Sequence, residues 1–230
     1  ADPTDGVSWS TDLQGERTGF RQSGAGTEFG EPVDAQQQRI GGGVQLRYQL
    51  PQLFTHWEIR LKPAARLSSV RLFNQSQTNR YPFFSHSVTL NVNRMSAPGL
   101  NFYLQHNRAF RPPTFGDLFY QDFRVSGNPD LLPEKSSEFT AGTSFSLPHV
   151  FNSTLRFEAY HKTVRDQIIW VTGSYANFSP KNTDSRMSGQ SLHWSWEVLS
   201  GLLSGQLFAD HLLTVNRSTN PATRNKMLPY

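Results

Sequence analysis

Read at every second residue, this chain separates into an apolar and a polar set along most of its length. From Phe84 one parity runs Phe84, His86, Val88, Leu90, Val92, and the other Ser85, Ser87, Thr89, Asn91, Asn93. Ile40, Gly42, Val44, Leu46, Tyr48 and Leu50 oppose Arg39, Gly41, Gly43, Gln45, Arg47 and Gln49. Leu155, Phe157 and Ala159 oppose Thr154, Arg156, Glu158 and Tyr160, while Leu192, Trp194, Trp196 and Val198 oppose Ser191, His193, Ser195 and Glu197. Successive strand side chains point to opposite faces, so each segment is a two-faced β-strand. Pro and Gly interrupt every candidate helical window, and no helix is expected.

Two-faced strands build soluble sandwiches as well as membrane barrels. Composition separates the two. Aromatic residues make up 13% and charged residues 17%, yet mean hydropathy is −0.53. Soluble domains carry roughly 25% charged residues, and a chain this poor in charge would need a larger apolar core. Here Ser, Thr, Asn and Gln fill the gap instead. A barrel wall tolerates that balance, because one face meets lipid and the other a wet lumen. The segments also approach or exceed the roughly 9–11 residues that cross a bilayer at a tilt. The expected fold is all-β: an antiparallel transmembrane β-barrel segment in the bacterial outer membrane, with outer-membrane lipid against its apolar face.

About eight strands follow from this template, at 38–50, 55–72, 84–95, 99–109, 137–147, 152–171, 188–199 and 203–216, with a ninth over 6–21. Residues 21–37 read as a loop. Short turns at 50–53, 96–99, 148–151 and 200–202 alternate with long polar connections at 73–83, 110–136, 172–187 and 216–228, the rhythm of tight periplasmic turns and long outer loops.

Other classes are excluded or unsupported. No stretch offers the ~18 apolar residues of a membrane helix. Without cysteine there is no disulfide framework, thiolate zinc site or cysteine nucleophile. The net charge of +4 comes from scattered Arg and Lys, with no basic run to mark a nucleic-acid partner. The seven His (56, 86, 106, 149, 161, 193, 211) lack metal-ligand spacing, so no metal site and no cofactor are expected. Asp210 and His211 are strand neighbours that point apart and cannot form an acid–base pair. No nucleophile geometry is defined, so no catalytic residue is assigned and the chain reads as a non-enzyme.

One segment is more specific. Asn107-Arg-Ala-Phe-Arg-Pro-Pro-Thr-Phe-Gly-Asp-Leu-Phe-Tyr120 is followed by Gly127-Asn-Pro-Asp-Leu-Leu-Pro-Glu-Lys-Ser136. It resembles the barrel signature of TonB-dependent outer-membrane receptors, such as siderophore and vitamin B12 receptors. Phe110, Arg111, Pro113, Thr114, Leu118, Gly127, Asn128, Pro129, Leu131, Pro133, Glu134 and Ser136 match in order. Ala159-Tyr160, Asp166-Gln-Ile-Ile-Trp170, Asn182 and Gly189 continue the likeness. The clear match spans about 105–200. The resemblance implies a barrel of about 22 strands with a plugged lumen, energised import by the TonB energy-coupling protein, and a small-molecule ligand such as a metal chelate. Residues 1–230 would then be a partial barrel domain, middle to late in a receptor, with the plug domain and last strands lying outside it. The ligand would be bulky and scarce, an iron–siderophore or a cobalamin-like molecule. A free-standing small barrel acting as an adhesin or structural protein, or an outer-membrane hydrolase, stays open at this stage.

The signature has a local explanation. Pro112 and Pro113 lack N–H donors and end strand pairing. Gly127-Asn128-Pro129 is turn chemistry, and Arg111 can pair with Glu134 across the loop base. Tyr120, Phe123 and Arg124 fall in the longest outer loop, where aromatics and a guanidinium could hold a large anionic ligand. They could equally pack on their own loop or rest in an aromatic belt. Trp194, Trp196 and Trp57 read as lipid-facing girdle residues.

Overall fold

A computed structural model describes residues 7–22, 33–50, 56–74, 78–94, 98–147, 152–173, 177–198 and 202–217. The elements are β1 (Val7–Gln22), β2 (Val33–Leu50), β3 (Trp57–Asn74), β4 (Thr78–Arg94), β5 (Gly99–Arg111), α1 (Phe115–Phe119), β6 (Gln121–Asp122), β7 (Val125–Ser126), β8 (Glu134–Leu147), β9 (Asn152–Thr172), β10 (Phe178–Val198) and β11 (Leu203–Asn216). The long strands form one sheet in the order β1-β2-β3-β4-β5-β8-β9-β10-β11, each antiparallel to the next. All nine expected strands are present.

The strands run further than the amphipathic pattern suggested. Of residues 21–37, read as loop, 21–22 belong to β1 and 33–37 to β2. Residues 78–83 belong to β4 and 178–187 to β10, so the expected long connections at 73–83 and 172–187 are mostly strand. These stretches lack the outward apolar row that marks a lipid-facing strand, because beyond the bilayer the outer face meets water. β9 and β10, at 21 residues each, are about twice what a membrane requires. The expectation of no helix also fails at one place, the single turn α1. The short turns lie largely outside the described residues, as do residues 218–228.

The register assigns the faces. Leu90 lies between Leu61 and Leu104, Phe157 between Thr143 and Leu192, and Trp194 between Leu155 and Leu207. Val88, Leu90, Val92, Leu155, Phe157, Leu192 and Trp194 therefore share one face, here the outer one. Val88, Leu155, Phe157 and Trp194 are exposed on it. Thr89, Asn91, Arg156, Glu158 and His193 occupy the opposite, inner face, as expected. A sandwich would bury the apolar set beneath a second sheet; among the described residues nothing covers it. The Trp194 and Trp196 rings lie 4.8 Å apart on this outer face.

The register also carries a stagger. One hydrogen-bonding row passes through Val7, Tyr48, Leu61, Leu90, Leu104, Ala141, Ala159, Gln190 and His211. It starts at the first residue of β1 and ends eight residues beyond Leu203, the first of β11. That is one residue of offset per strand. With a rise of ~3.3 Å and a spacing of ~4.8 Å, the offset corresponds to a tilt of roughly 35°, within the range of barrels. Among the described residues, β1 pairs only with β2 and β11 only with β10, so the sheet is an open arc of barrel wall.

Glycines let rings cross that wall. Tyr103 is paired with Gly142, Tyr160 with Gly189 and Trp196 with Gly205. A Cβ on any of these glycines would lie 2.3–2.5 Å from the opposing ring. With no side chain beneath it, the Tyr103 ring passes over Gly142, and its hydroxyl donates to Glu158 on β9.

Candidate functional site

The segment between β5 and β8, residues 112–133, is the longest connection between long strands, and it folds back over the inner face. The construction begins at its base. Arg111 and Glu134 are direct partners across β5 and β8. Arg111 Nε donates to Glu134 Oε2 at 2.7 Å and Nη2 to Oε1 at 2.6 Å, a bidentate pair. Glu134 Oε1 also accepts the Ile168 N–H at 2.7 Å. The expected pair at the loop base is present, and it reaches a third strand.

Pro112 and Pro113 end the strand, and Pro113 is fully buried. Their missing donors are harmless immediately before a helix. Thr114 caps α1: Asp117 N–H donates to Thr114 Oγ1 at 3.2 Å, and Thr114 N–H donates to Asp117 Oδ2 at 2.9 Å. This is the reciprocal capping box. Asp117 is 6% exposed, so its remaining oxygen needs a partner, and Oδ1 accepts from Trp170 Nε1 at 3.1 Å. A single buried carboxylate thus ties the helix start to β9.

The apolar underside follows. Leu118, Phe119 and Leu131 pack with Val70 and Leu72 of β3 and Ile168 of β9, flanked by Tyr81, Phe83 and Phe115. Phe110 of the signature stacks on Phe83, centroids 4.2 Å apart. Val70 and Leu72 point inward, opposite in parity to Trp57, Ile59 and Leu61, which explains why an inner face otherwise polar turns apolar near the strand ends. Gly127 lets the chain double back: a Cβ there would lie 2.6 Å from the Leu118 carbonyl carbon. Asn128 N–H donates to Asp117 O at 2.8 Å, its Nδ2 to Pro180 O at 3.3 Å, and its Oδ1 accepts Asp130 N–H at 3.0 Å. Pro129 is exposed in this turn, and Leu131 is buried beneath it. Leu132, followed by half-buried Pro133, is held by Asn182: Leu132 N–H donates to Oδ1 at 2.8 Å and Nδ2 donates to Leu132 O at 2.9 Å. Asn182 Nδ2 also reaches Asp166 O at 2.7 Å, at a bulge where Asp166 adopts φ 57°.

The tip is a miniature hairpin of β6 and β7. Val125 pairs with Phe178, whose N–H donates to Arg124 O at 2.7 Å. Phe123 is 74% exposed, with the Arg124 guanidinium 5.6 Å from its ring centroid. Phe123 and Arg124 are therefore together and accessible. Tyr120 is elsewhere: it caps the end of α1, half-buried, and its carbonyl accepts Gly127 N–H at 2.6 Å. The structural weight of Asp117, Trp170 and Asn182 was not assigned from sequence. The Thr114-x-x-Asp117 spacing was the available signal for Asp117. Nothing local marks the contact of Asn182 with a segment 50 residues earlier. Among the described residues no group of three or more His, Asp or Glu gathers as a metal site.

Comparison with known proteins places this architecture. Residues 2–230 match the family model for the TonB dependent receptor-like β-barrel. Over 105 residues the chain is 32% identical to the vitamin B12 transporter BtuB of Vibrio vulnificus (strain YJ016), covering 44% of this chain and 16% of that protein. The fold is similar to that of the copper transporter OprC, with a TM-score of 0.71 at 15% identity over 96% of this chain and 36% of OprC. It is also similar to the FrpB iron transporter from Neisseria meningitidis (F3-3 variant), with a TM-score of 0.60 at 14% identity over 84% of this chain and 28% of that one. The chain spans well under half the length of each of these relatives. The chain belongs to the TonB dependent receptor-like β-barrel family.

Proposed function

We propose that this chain is an arc of the barrel wall of an outer-membrane receptor that imports a bulky, scarce nutrient, a metal chelate such as an iron–siderophore or a cobalamin-like molecule. A plug domain and further strands elsewhere in the receptor complete the barrel, and the TonB protein supplies the energy. The named relatives transport vitamin B12, copper and iron, which supports metal-containing cargo as a class. The two unpaired edges support further strands, since unpaired backbone groups in lipid cost several kcal/mol each. They also disfavour a free-standing ring closed by β1 and β11.

The observation that carries the ligand role is the excursion over 112–133. Polar bonds, several of them part-buried, fasten its base and underside, yet its tip leaves Phe123 and Arg124 open to solvent. An exposed aromatic beside a guanidinium suits a large anionic chelate. Tyr120 supports the tip from its neck. The test is titration of the full-length receptor with a ferric siderophore and with a cobalamin, together with uptake in cells with and without TonB. Saturable binding of one of them with TonB-dependent uptake is expected. Binding of neither, or uptake unchanged without TonB, would overturn the proposal.

A further inference from the structure

On each of β8, β9 and β10 the outward residues can be counted from the short-turn end, starting at Leu147, Ser153 and Val198. The seventh is a cation on all three strands: Lys135, Arg165 and Arg186. The six before it include no Lys, Arg, Asp or Glu on any of them. Twelve residues at ~3.3 Å, tilted by roughly 35°, place the three cations about 32 Å from the short turns. The apolar band of such barrels is ~25 Å tall. The cations therefore stand at one height, just past the apolar band on the long-loop side.

They also stand together. Lys135 and Arg165 are direct partners across β8 and β9, a like-charge pairing that is unfavourable without a counter-charge. Arg186 is on the adjacent strand, one row below, level with Ser137 and Thr163. The three strands span about 10 Å at ~4.8 Å spacing. All three cations are exposed, and none forms an ion pair among the described residues. Glu134 is paired with Arg111 and Glu138 with Lys162, while the Asp184 carboxylate accepts the Asp166 N–H, and neither Asp184 nor Asp166 forms an ion pair with the three cations.

From this geometry we infer that Lys135, Arg165 and Arg186 form an outer-wall site for the phosphate groups of an anionic outer-leaflet lipid. The inference rests on the outer-membrane barrel reading and adds to it a site for the charged headgroup. Phosphate oxygens would supply counter-charge within bonding range of all three, and the Thr163 hydroxyl lies at the lower edge to donate, beside Ser137, whose hydroxyl is bonded to His106 Nε2 at 3.2 Å. The acyl chains would lie against the apolar rows below, near Phe139 and Phe157.

The experiment uses the full-length receptor in zwitterionic phosphatidylcholine nanodiscs, titrated with a diphosphorylated hexa-acyl lipid and with its dephosphorylated counterpart. The parent is expected to prefer the phosphorylated lipid. Each of Lys135→Gln, Arg165→Gln and Arg186→Gln is expected to weaken it roughly fivefold, and the triple variant on the order of a hundredfold. Arg156→Gln, which removes a charge from the inner face, should change nothing. Equal binding of the two lipids by the parent, or unchanged binding by the triple variant, overturns the inference. So does complete competition by inorganic phosphate at the lipid's own concentration, which would mark a free-anion site. Failure of the parent to insert into nanodiscs would instead strike the barrel reading itself.

Discussion

Asn182 grips Leu132 from both sides, accepting its N–H at 2.8 Å and donating to its carbonyl at 2.9 Å. The same amide nitrogen holds the carbonyl of Asp166 at 2.7 Å. One side chain on β10 thus fastens both the exit of the excursion and the bulge in β9. Asn182→Ala would hand the exposed Leu132 groups to water and lose the part-buried bond to Asp166, at about 0.5–1.5 kcal/mol. Hydrogen exchange on the full-length receptor should show faster exchange at Leu132, while Leu90 and Phe157 remain protected. Unchanged protection at Leu132 would remove Asn182 from this role.

Gly127 is constrained by space. A methyl group would meet the Leu118 carbonyl carbon at 2.6 Å, and neither backbone can move freely above the buried Leu118. Gly127→Ala is expected to cost about 1–3 kcal/mol, as overpacking does. Limited proteolysis should then cut within 120–126 faster than in the parent, with the barrel intact.

The Tyr103–Gly142–Glu158 arrangement makes a graded prediction. Tyr103→Phe keeps the ring over Gly142 and loses only the bond to Glu158, at about 0.5–1.5 kcal/mol. Gly142→Ala displaces the ring and loses the bond as well, so it should destabilise more. Denaturant unfolding of the two variants checks the order.

Leu90 lies four residues from Arg94, the short-turn end of β4, about 11 Å up a strand tilted by roughly 35°. That is close to the middle of an apolar band ~25 Å tall, where an Arg costs about 2–4 kcal/mol. Leu90→Arg should show this loss in equilibrium unfolding from bilayers, and Thr89→Arg, facing inward, should show much less. Equal effects would reverse the face assignment.

Arg124→Ala in the complete receptor should weaken an anionic ligand by roughly 1–3 kcal/mol and a neutral one less. Phe123→Ala should act similarly through the lost face beside the guanidinium. Tyr120→Ala should act through the fold of the excursion, lowering protease resistance along with affinity. Ligand titration beside proteolysis separates the two routes.

The sequence discloses this architecture unevenly, and the reason is solvent. Where one face meets lipid, as at Val88, Leu90 and Val92, alternation is strict and strand ends are readable. Above the membrane the outer face is wet and its apolar row is lost, so Thr78-Asn79-Arg80 and the first half of β10 read as loop although they are paired. The turn α1 escaped notice because one turn is too short for periodicity and Pro112-Pro113 look like breakers, though they sit where prolines are tolerated. The Arg111–Glu134 pair was readable because the two residues bracket one loop. The hold of Asn182 on Leu132 was not, because it joins β10 to a segment three long strands away and depends on how the chain doubles back.

The fastening of the excursion has a consequence for the order of assembly. Its anchors on Trp170, Pro180 and Asn182 lie 50 to 53 residues downstream of the groups they hold. Until β9 and β10 have joined the sheet, residues 112–133 have no dock for these contacts. Closing so long a span costs entropy that grows only slowly with length, but the contacts that repay it come late. The fold of residues 112–133 is therefore completed only together with the wall beneath it, and a sheet lacking β9 or β10 would leave the segment unfastened.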